Sequence, residues 1–229
     1  MNIVEHVKSL HQIEQRTPEW YSVRKNLLTA SDASSALNQN PYQSAKQLLQ
    51  KKVFDDNVFT GNFATLHGQK YEDEARLLFG SLYKLDTWDV GLFVHNEYKW
   101  LGGSPDGIAS DGSLLEIKCP IKREIKHTIP SYYYPQVQVC MEVLNIDKCY
   151  FIQYKPGNLY QDFILDVIEV PRSKQWFADN FSLLKGFWDS VLMHRANPET
   201  LQKPQKRNIV AKEIKPSVKE SLFKIDEYD

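Results

Sequence analysis

The sequence is poor in the residues that mark secreted, membrane-bound and zinc-binding proteins. Its 229 residues include three cysteines, which are too few and too scattered for a disulfide framework, and no CxxC pair that would indicate zinc. No apolar run approaches the roughly 20 residues of a membrane-spanning helix, and the N-terminus has no apolar stretch typical of a signal peptide. We therefore expect an intracellular protein that is neither secreted nor inserted in a membrane.

An excess of charge of either sign is also lacking. Lys and Arg number 28 against 29 Asp and Glu, so the formal net charge is −1. This balance argues against a protein that coats nucleic acid by bulk charge, but it is compatible with an enzyme that binds DNA in one groove while its carboxylates hold a metal. Hydrophobic residues make up 42% of the chain, which is enough for a sizeable core and excludes disorder over most of its length.

Several segments have the capping residues and the apolar spacing of helices. Thr17, followed by a proline, predicts a helix start, and Thr29 offers a second N-cap. The longest periodic segment covers residues 62–82 and is predicted to pack along the core. Its apolar positions are Phe63, Leu66, Tyr71, Ala75, Leu78 and Phe79. The other long helices are predicted over residues 130–144 and 173–194.

The middle of the chain has short apolar or alternating stretches separated by turn-forming residues, a pattern typical of strands. The Asp111-Gly112 pair between two of these stretches predicts a hairpin. Two longer strands are predicted over residues 148–154 and 163–170. Helices before, between and after the strands indicate an α/β or α+β layered fold.

Two carboxylates and one ammonium are expected on one side of the sheet. Glu116 and Lys118 are two residues apart on a predicted strand, so their side chains project from the same face. Asp106 precedes the hairpin turn, which brings it back beside Glu116. Mg²⁺ binds one or two carboxylates together with waters and substrate phosphate, and a nearby lysine can activate water or stabilise developing charge. Glu-x-Lys alone is common on exposed strands, so the prediction depends on Ser104-Pro105-Asp106-Gly107 upstream.

Five segments, in order along the chain, resemble one family of nucleases. They are Trp20-x-x-x-Arg24 with Leu28-Thr29-Ala30-Ser31, Gly68-Gln69-Lys70-Tyr71-Glu72-x-x-Ala75-Arg76, Ser104-Pro105-Asp106-Gly107, Leu115-Glu116-Ile117-Lys118-Cys119-Pro120 and Gln136-Val137-Gln138. Together they are similar to the phage lambda exonuclease, or YqaJ-type viral recombinase, family of the PD-(D/E)xK nucleases. The resemblance, over residues 17–154, implies an α/β fold with a restriction-endonuclease-like core, in which helices flank a central mixed β-sheet. We expect one exonuclease domain over residues 1–195 and a charged tail over 196–229 that wraps the surface or is disordered.

The resemblance implies a metal site in which each matching acid has a role. Asp106 and Glu116 would be ligands, together with the backbone carbonyl of Ile117. Glu72 would reach the metal through a bound water or would serve a second ion. The implied cofactor is Mg²⁺, with Mn²⁺ as a substitute and one or two ions in each site.

Further roles follow from the same resemblance. Lys118 would activate or position the attacking water, and Gln136 would hydrogen-bond that water or the scissile phosphate. Arg24, with help from Ser31, would bind the 5′-terminal phosphate of DNA. Lys52 and its neighbouring lysines supply positive charge where the family grips DNA. Members digest one strand of duplex DNA from the 5′ end to 5′-mononucleotides and leave a 3′ single-stranded overhang. The implied context is DNA ends as substrate, a single-strand annealing protein as partner, a ring-shaped homotrimer and the host-cell compartment of a phage or virus.

Other interpretations of these residues stay open. Arg24 also fits an exposed helix position paired with Glu19 or Asp32, and the acidic run at residues 72–74 fits a solvated face. The tyrosines at 132–134 either line a DNA groove or pack in the core. The alternative functions are another PD-(D/E)xK nuclease, cutting internally or acting on single strands, and a catalytically silent module that binds DNA ends in recombination.

Overall fold

The structure is a computed structural model that describes residues 3–54, 63–159 and 161–203. Helices account for much of the first third of the chain and for the end of the described part. They are α1 (Ile3–Ser9), α2 (Pro18–Lys25), α3 (Ala30–Ala36), α4 (Ala45–Phe54), α5 (Phe63–Tyr83), α6 (Tyr134–Leu144) and α7 (Lys174–Ala196), followed by a 3₁₀ turn at Pro198–Thr200. Within these described ranges, no helix has both the length and the apolar character needed to cross a membrane.

The strands form two sheets of different size. They are β1 (Leu28–Thr29), β2 (Thr87–Trp88), β3 (Phe93–Val94), β4 (Leu101–Gly103), β5 (Gly107–Ala109), β6 (Leu114–Lys118), β7 (Lys148–Lys155) and β8 (Ile164–Pro171). The larger sheet has five strands in the order β2-β5-β6-β7-β8, and the smaller has three in the order β1-β4-β3. In the larger sheet β6 and β7 run parallel, while its other neighbouring strands are antiparallel. The central sheet is therefore mixed.

Helices cover both faces of the five-stranded sheet. Leu114 of β6 lies in the main core, which also contains side chains of α3, α6 and α7. Its neighbour Leu115 points the other way, into a second cluster with Ala75 and Phe79 of α5. Successive residues of a strand face opposite sides, so β6 contributes to both clusters. The expected α/β architecture, a central mixed sheet flanked by helices, is confirmed.

Local capping and turn residues form the contacts that their sequence positions predict. Thr17 and Ser173 each accept a hydrogen bond from the backbone N–H three residues further on, at 3.2 and 3.1 Å. At the start of α3 the Asp32 carboxylate accepts from the Thr29 backbone N–H at 3.4 Å, as in a capping box. Gly112, at φ +86°, joins β5 to β6 in a left-handed conformation that favours glycine.

Two expectations about helices need correction. α5 does not pack along the core over its whole length, because Phe63 is 76% and Leu66 56% exposed. Their spacing fits the helix period, but the sheet supports only the later turns of α5, where Ala75 and Phe79 are buried. α6 begins at Tyr134 rather than at residue 130, because hydrogen-bonded turns occupy the preceding residues.

The described chain ends against the helices near its beginning. Arg195, close to the C-terminal end of α7, donates to the carbonyl of Lys25 at 2.6 Å and to that of Lys52 at 2.9 Å. It also donates to the Asn26 side chain at 3.2 Å. α7 thereby fastens the C-terminal ends of α2 and α4. Residues 204–229, most of the predicted tail, lie outside the described residues, so the division at 195/196 stays a prediction.

Candidate active site

A cleft of about 990 Å³ opens beside the C-terminal end of β6. Its walls come from α2, α3, α5, α6 and the segment that follows β6. Seven residues proposed from the sequence line it: Arg24, Ser31, Glu72, Asp106, Ile117, Lys118 and Gln136. The eighth, Glu116, is buried directly beneath the lining, at 1% exposure. The fold thus brings together residues that are spread over more than 100 positions of sequence.

The β5–β6 hairpin fixes the position of Asp106. The two strands are antiparallel, with Gly107 opposite Leu115. The backbone N–H of Asp106 donates to the carbonyl of Leu115 at 3.0 Å, and one carboxylate oxygen of Asp106 accepts from the backbone N–H of Ile117 at 2.6 Å. The Asp106 carboxylate is therefore tied to the strand that carries Glu116.

Glu116 shares one of its oxygens between two neighbours and leaves the other without a partner. Lys118, on the same face of β6, donates to Glu116 Oε1, and Gln136 of α6 donates to that same oxygen at 2.5 Å. The second oxygen, Oε2, is buried and has no hydrogen-bond partner in the described part of the chain. Buried carboxylate oxygens are nearly always satisfied, so this one is available to a ligand.

Glu72 approaches the same place from α5. Its side chain is 24% exposed, and both of its oxygens accept from Arg16 Nη2, at 3.1 and 3.0 Å. Burial raises the pKa of Glu72 to about 7, with a further contribution from Asp106, although Arg16 opposes the shift. Glu72 is therefore not the solvated acid that its acidic neighbours suggest.

Burial disfavours the charged forms of the acids at the base of the cleft, and neighbouring acids add to this at Glu72 and Glu116. Burial, together with Asp106 and Glu72, raises the pKa of Glu116 to about 8, although Lys118 opposes the shift. Burial likewise raises the pKa of Asp106. Burial alone would lower the pKa of Lys118, but Glu116 and Asp106 outweigh it and raise that pKa above its usual value. Lys118 is thus an ammonium surrounded by carboxylates.

The donor set fits a hard divalent cation. In the described ranges no group of three or more His, Cys, Asp or Glu side chains is already arranged to hold a metal. Mg²⁺ does not require one, because it binds through one or two carboxylates and completes its shell with water and phosphate oxygens. The free oxygen of Glu116 and the crowding of acids around it are features that a cation would relieve.

At another part of the cleft, α2 and α3 present a guanidinium and a hydroxyl. Arg24 donates to Ser31 Oγ at 2.8 Å, and its guanidinium lies 4.2 Å from the centre of the Trp20 ring. The indole N–H of Trp20 points to Ser104 Oγ at 3.4 Å. Trp20 therefore braces Arg24 against the segment that leads to Asp106.

A buried ion pair between Lys52 and Asp32 lies next to Arg24. Lys52 of α4 lies 2.8 Å from the Asp32 carboxylate and donates to the carbonyls of Arg24 and Leu27 at 3.0 and 2.9 Å. Burial would raise the pKa of Asp32, but Lys52 and Arg24 overcome it and hold that pKa at about 2. Lys52, a candidate for gripping DNA in the sequence, instead ties α4 to the end of α2.

The comparison that decides the family covers most of this framework. Residues 19–147, more than half of the chain, match the YqaJ-like viral recombinase domain. The chain belongs to this family. The family assignment made from the sequence motifs is thus confirmed.

A viral relative of the chain is considerably longer than the chain itself. The uncharacterized protein R354 of Acanthamoeba polyphaga mimivirus is 32% identical over 180 residues, which cover 70% of this chain and 33% of that protein. The chain therefore spans about a third of the length of this viral relative.

Solved structures show the same fold at low identity. An alkaline exonuclease, LHK-Exo, from Laribacter hongkongensis matches with a TM-score of 0.68 at 21% identity, over 80% of this chain and 97% of that one. A phage-related exonuclease from Haemophilus somnus 129PT matches with a TM-score of 0.54 at 14% identity, over 76% of this chain and 95% of that one. The restriction-endonuclease-like fold expected from the sequence is confirmed.

Sequence patterns did not reveal two residues that complete the base of the cleft in this YqaJ-like domain. Gln15 donates to the carbonyls of Val90 and Pro105, at 2.7 and 3.1 Å, and so holds the backbone beside Asp106. Arg16 pairs with Glu72 across 56 positions of sequence. Neither lies in a recognisable motif, and their only signal is their place just before the α2 cap.

Proposed function

We propose that this YqaJ-like domain is a Mg²⁺-dependent exonuclease that digests one strand of duplex DNA from its 5′ end. The product would be 5′-mononucleotides and a 3′ single-stranded overhang suited to recombination by strand annealing. The observation that carries this proposal is the convergence of Asp106, Glu116 and Lys118 in one cleft that also presents Arg24 and Ser31. Acids for a metal and a guanidinium for a phosphate are what a DNA-end hydrolase requires.

In this proposal Asp106 and Glu116 hold Mg²⁺, and Mn²⁺ substitutes for it. The Ile117 carbonyl completes the protein ligands, and Glu72 contributes through a bound water or to a second ion. When bound, the metal supplies Lewis-acid stabilisation of charge on the phosphate and a lowered pKa of water. The free Glu116 oxygen and the raised pKa of its carboxyl support this assignment.

Lys118 and Gln136 are the proposed positioning and charge-stabilising groups. Both contact the same oxygen of Glu116, so both lie close to the proposed ligands. As an ammonium, Lys118 can donate hydrogen bonds to the attacking water and to the phosphate, but it has no lone pair with which to accept a proton. Its role is therefore to orient the water and to stabilise the charge that develops on phosphate oxygens.

The direct test uses linear duplex DNA labelled separately at each 5′ and 3′ end. The proposal expects loss of the 5′ label first, dependence on Mg²⁺, and no attack on covalently closed circles. Asp106→Ala and Lys118→Ala should each abolish digestion, and Glu19→Ala, on the exposed face of α2, is the matched control. Wild-type digestion by both cleft variants would contradict the assignment, and cleavage of closed circles would favour an endonuclease.

Arg24 and Ser31 are proposed to bind the terminal 5′-phosphate. A planar guanidinium forms paired hydrogen bonds to phosphate oxygens, and Arg24 is already held by Trp20 and Ser31. Arg24→Ala should therefore reduce the preference for 5′-phosphorylated over 5′-hydroxyl ends, whereas Lys25→Ala should not. An unchanged preference in Arg24→Ala removes that residue from the role.

The partners that we propose are duplex DNA ends, a single-strand annealing protein and two further copies of the chain in a ring. These follow from family membership, and sedimentation velocity measures the oligomer directly. Calorimetric titration with Mn²⁺ separates an active site from a silent DNA-binding module, because the silent module has no cation site.

A further inference from the structure

Three tyrosine rings form a row from the proposed catalytic lysine to the rim of the cleft. The Lys118 ammonium lies 5.2 Å from the centre of the Tyr133 ring. The Tyr132 and Tyr133 rings are 4.4 Å apart, and Tyr42 meets Tyr132 edge-on with 5.5 Å between ring centres. All three tyrosines line the cleft. The row therefore extends the site from the reacting groups outward.

The inner and outer rings of the row differ in what covers them. Tyr133 packs against the main core, with its ring 5.7 Å from that of Phe151. Tyr42, in contrast, is 78% exposed and faces the cleft. Packing accounts for Tyr133 but leaves the outer ring unexplained.

The loop that carries Tyr42 is held in place by polar contacts. Asn40 donates to Ser35 Oγ at 3.0 Å, and Ser35 donates to Gln43 at 3.1 Å. The backbone N–H of Tyr42 donates to the Asn40 side chain at 2.9 Å. These contacts anchor the loop on α3, the helix that also bears Ser31. The exposed ring is thus presented by a fixed backbone.

The charged groups of the cleft suit phosphates, whereas an exposed aromatic ring suits the flat face of a nucleobase. Nucleobases of any sequence stack on aromatic side chains, which is how proteins bind single strands without reading sequence. We propose that the Tyr42 ring, held edge-on by Tyr132, is a stacking platform for a nucleobase of the substrate strand, near the phosphate that Lys118 is proposed to contact. This proposal rests on the proposed function in one respect, that the substrate is DNA.

The first experiment detects stacking without hydrolysis. Duplexes with three unpaired nucleotides at the 5′ end, one of them 2-aminopurine at the first, second or third position, are titrated with protein in EDTA at low salt. Stacking on an aromatic ring quenches this fluorescent base, so the wild type and Tyr42→Phe should quench it at one of the three positions. Tyr42→Ala should lose the quenching and bind about tenfold more weakly, as expected for one lost base stack.

Phe163→Ala serves as the matched control, because Phe163 is another exposed aromatic residue and does not line the cleft. It should leave both quenching and binding unchanged. Equal quenching by Tyr42→Ala and the wild type overturns the platform. Loss of quenching in Tyr42→Phe as well also overturns it, because that variant keeps the ring.

A second experiment uses an abasic nucleotide at the position identified by quenching. In Mg²⁺ the wild type should digest the abasic duplex more slowly than the intact one, whereas Tyr42→Ala should digest both at the same reduced rate. An equal abasic effect in the two proteins contradicts the platform. Binding and quenching without hydrolysis overturn the proposed function alone, and the absence of any DNA binding by the wild type overturns both.

Discussion

Two buried ionic clusters border the cleft, and they are built on opposite charge balances. The first cluster lies beside Arg24 and Ser31, the residues proposed to bind a phosphate. Its one acid, Asp32, lies among the cations Lys52 and Arg24 and accepts hydrogen bonds from Thr29. At the base of the cleft, Asp106, Glu116 and Glu72 share Lys118 and the partly exposed Arg16. The first cluster has a partner for its acid, whereas the second has more acids than cations.

The pKa values of the two clusters diverge accordingly. In the first cluster cations outweigh burial and hold the pKa of Asp32 at about 2. In the second, burial and neighbouring acids raise the pKa of Glu72 to about 7 and that of Glu116 to about 8. The first arrangement stabilises the fold by itself. A further positive group would stabilise the charged form of the second, as the proposed metal site requires.

The largest expected effect separates activity from stability at Glu116. Glu116→Gln should lower DNA hydrolysis by about 1,000-fold or more, on the scale of losing a central catalytic group. The same variant should melt in EDTA at pH 8 at a temperature equal to or above that of the wild type, because it removes one of the crowded negative charges. A marked drop in melting temperature would show that Glu116 is a structural group instead.

The corresponding change in the first cluster, Asp32→Asn, should lower the stability of the fold. Asp32→Asn leaves the buried Lys52 ammonium without its counter-charge, which costs about 3 kcal/mol of unfolding free energy in comparable pairs. Chemical denaturation measures this loss, with Glu19→Gln on the exposed face of α2 as the control. If Asp32→Asn keeps wild-type stability, the contrast between the two clusters fails.

A divalent cation should stabilise the wild type but not the variant that lacks the proposed ligand charge. At 100 times its dissociation constant, a ligand that binds only the folded state adds about 2.7 kcal/mol. Mn²⁺ should therefore raise the melting temperature of the wild type, and this increase should be largely absent in Glu116→Gln. Equal increases in the two proteins would place the ion elsewhere.

The smallest expected effect is the acid dependence of the Asp32 pair. The pKa of Asp32 is about 2 in the folded protein, below the value of about 4 for an unfolded chain. Its stabilising contribution is therefore fully present above about pH 4 and is lost as the pH falls through about 2. The stability difference between the wild type and Asp32→Asn should narrow over that interval, and a constant difference would contradict the assignment.

Local signals were sufficient to predict the elements that carry the site. The Thr17 and Thr29 caps and the Asp111-Gly112 turn depend on neighbouring residues, so they can be read directly from the sequence. Alternation along β6 places Glu116 beside Lys118 for the same reason. The five motifs then identified the family, which the match over residues 19–147 confirms.

Contacts between distant segments could not be predicted in this way. Arg16, just before α2, reaches Glu72 only after that segment has packed beside α5, and Lys52 reaches Asp32 only after α4 has packed on α3. The short strand β1 depends on pairing with β4 rather than on its own pattern. The apolar spacing of α5 gave its helical period correctly, but it could not indicate that Phe63 lies beyond the sheet.

The position of Arg195 has a consequence for any attempt to shorten the domain. This side chain donates hydrogen bonds to the backbone carbonyls of Lys25 and Lys52, although it follows Lys25 by 170 positions. A fragment that ends before α7 is complete would leave those carbonyls without the hydrogen bonds from Arg195. It would therefore weaken the anchoring of α2, the helix that carries Arg24. Trimming at the C-terminal side would thus disturb the position of Arg24, the residue proposed to bind the 5′-phosphate, even though Arg24 itself was retained.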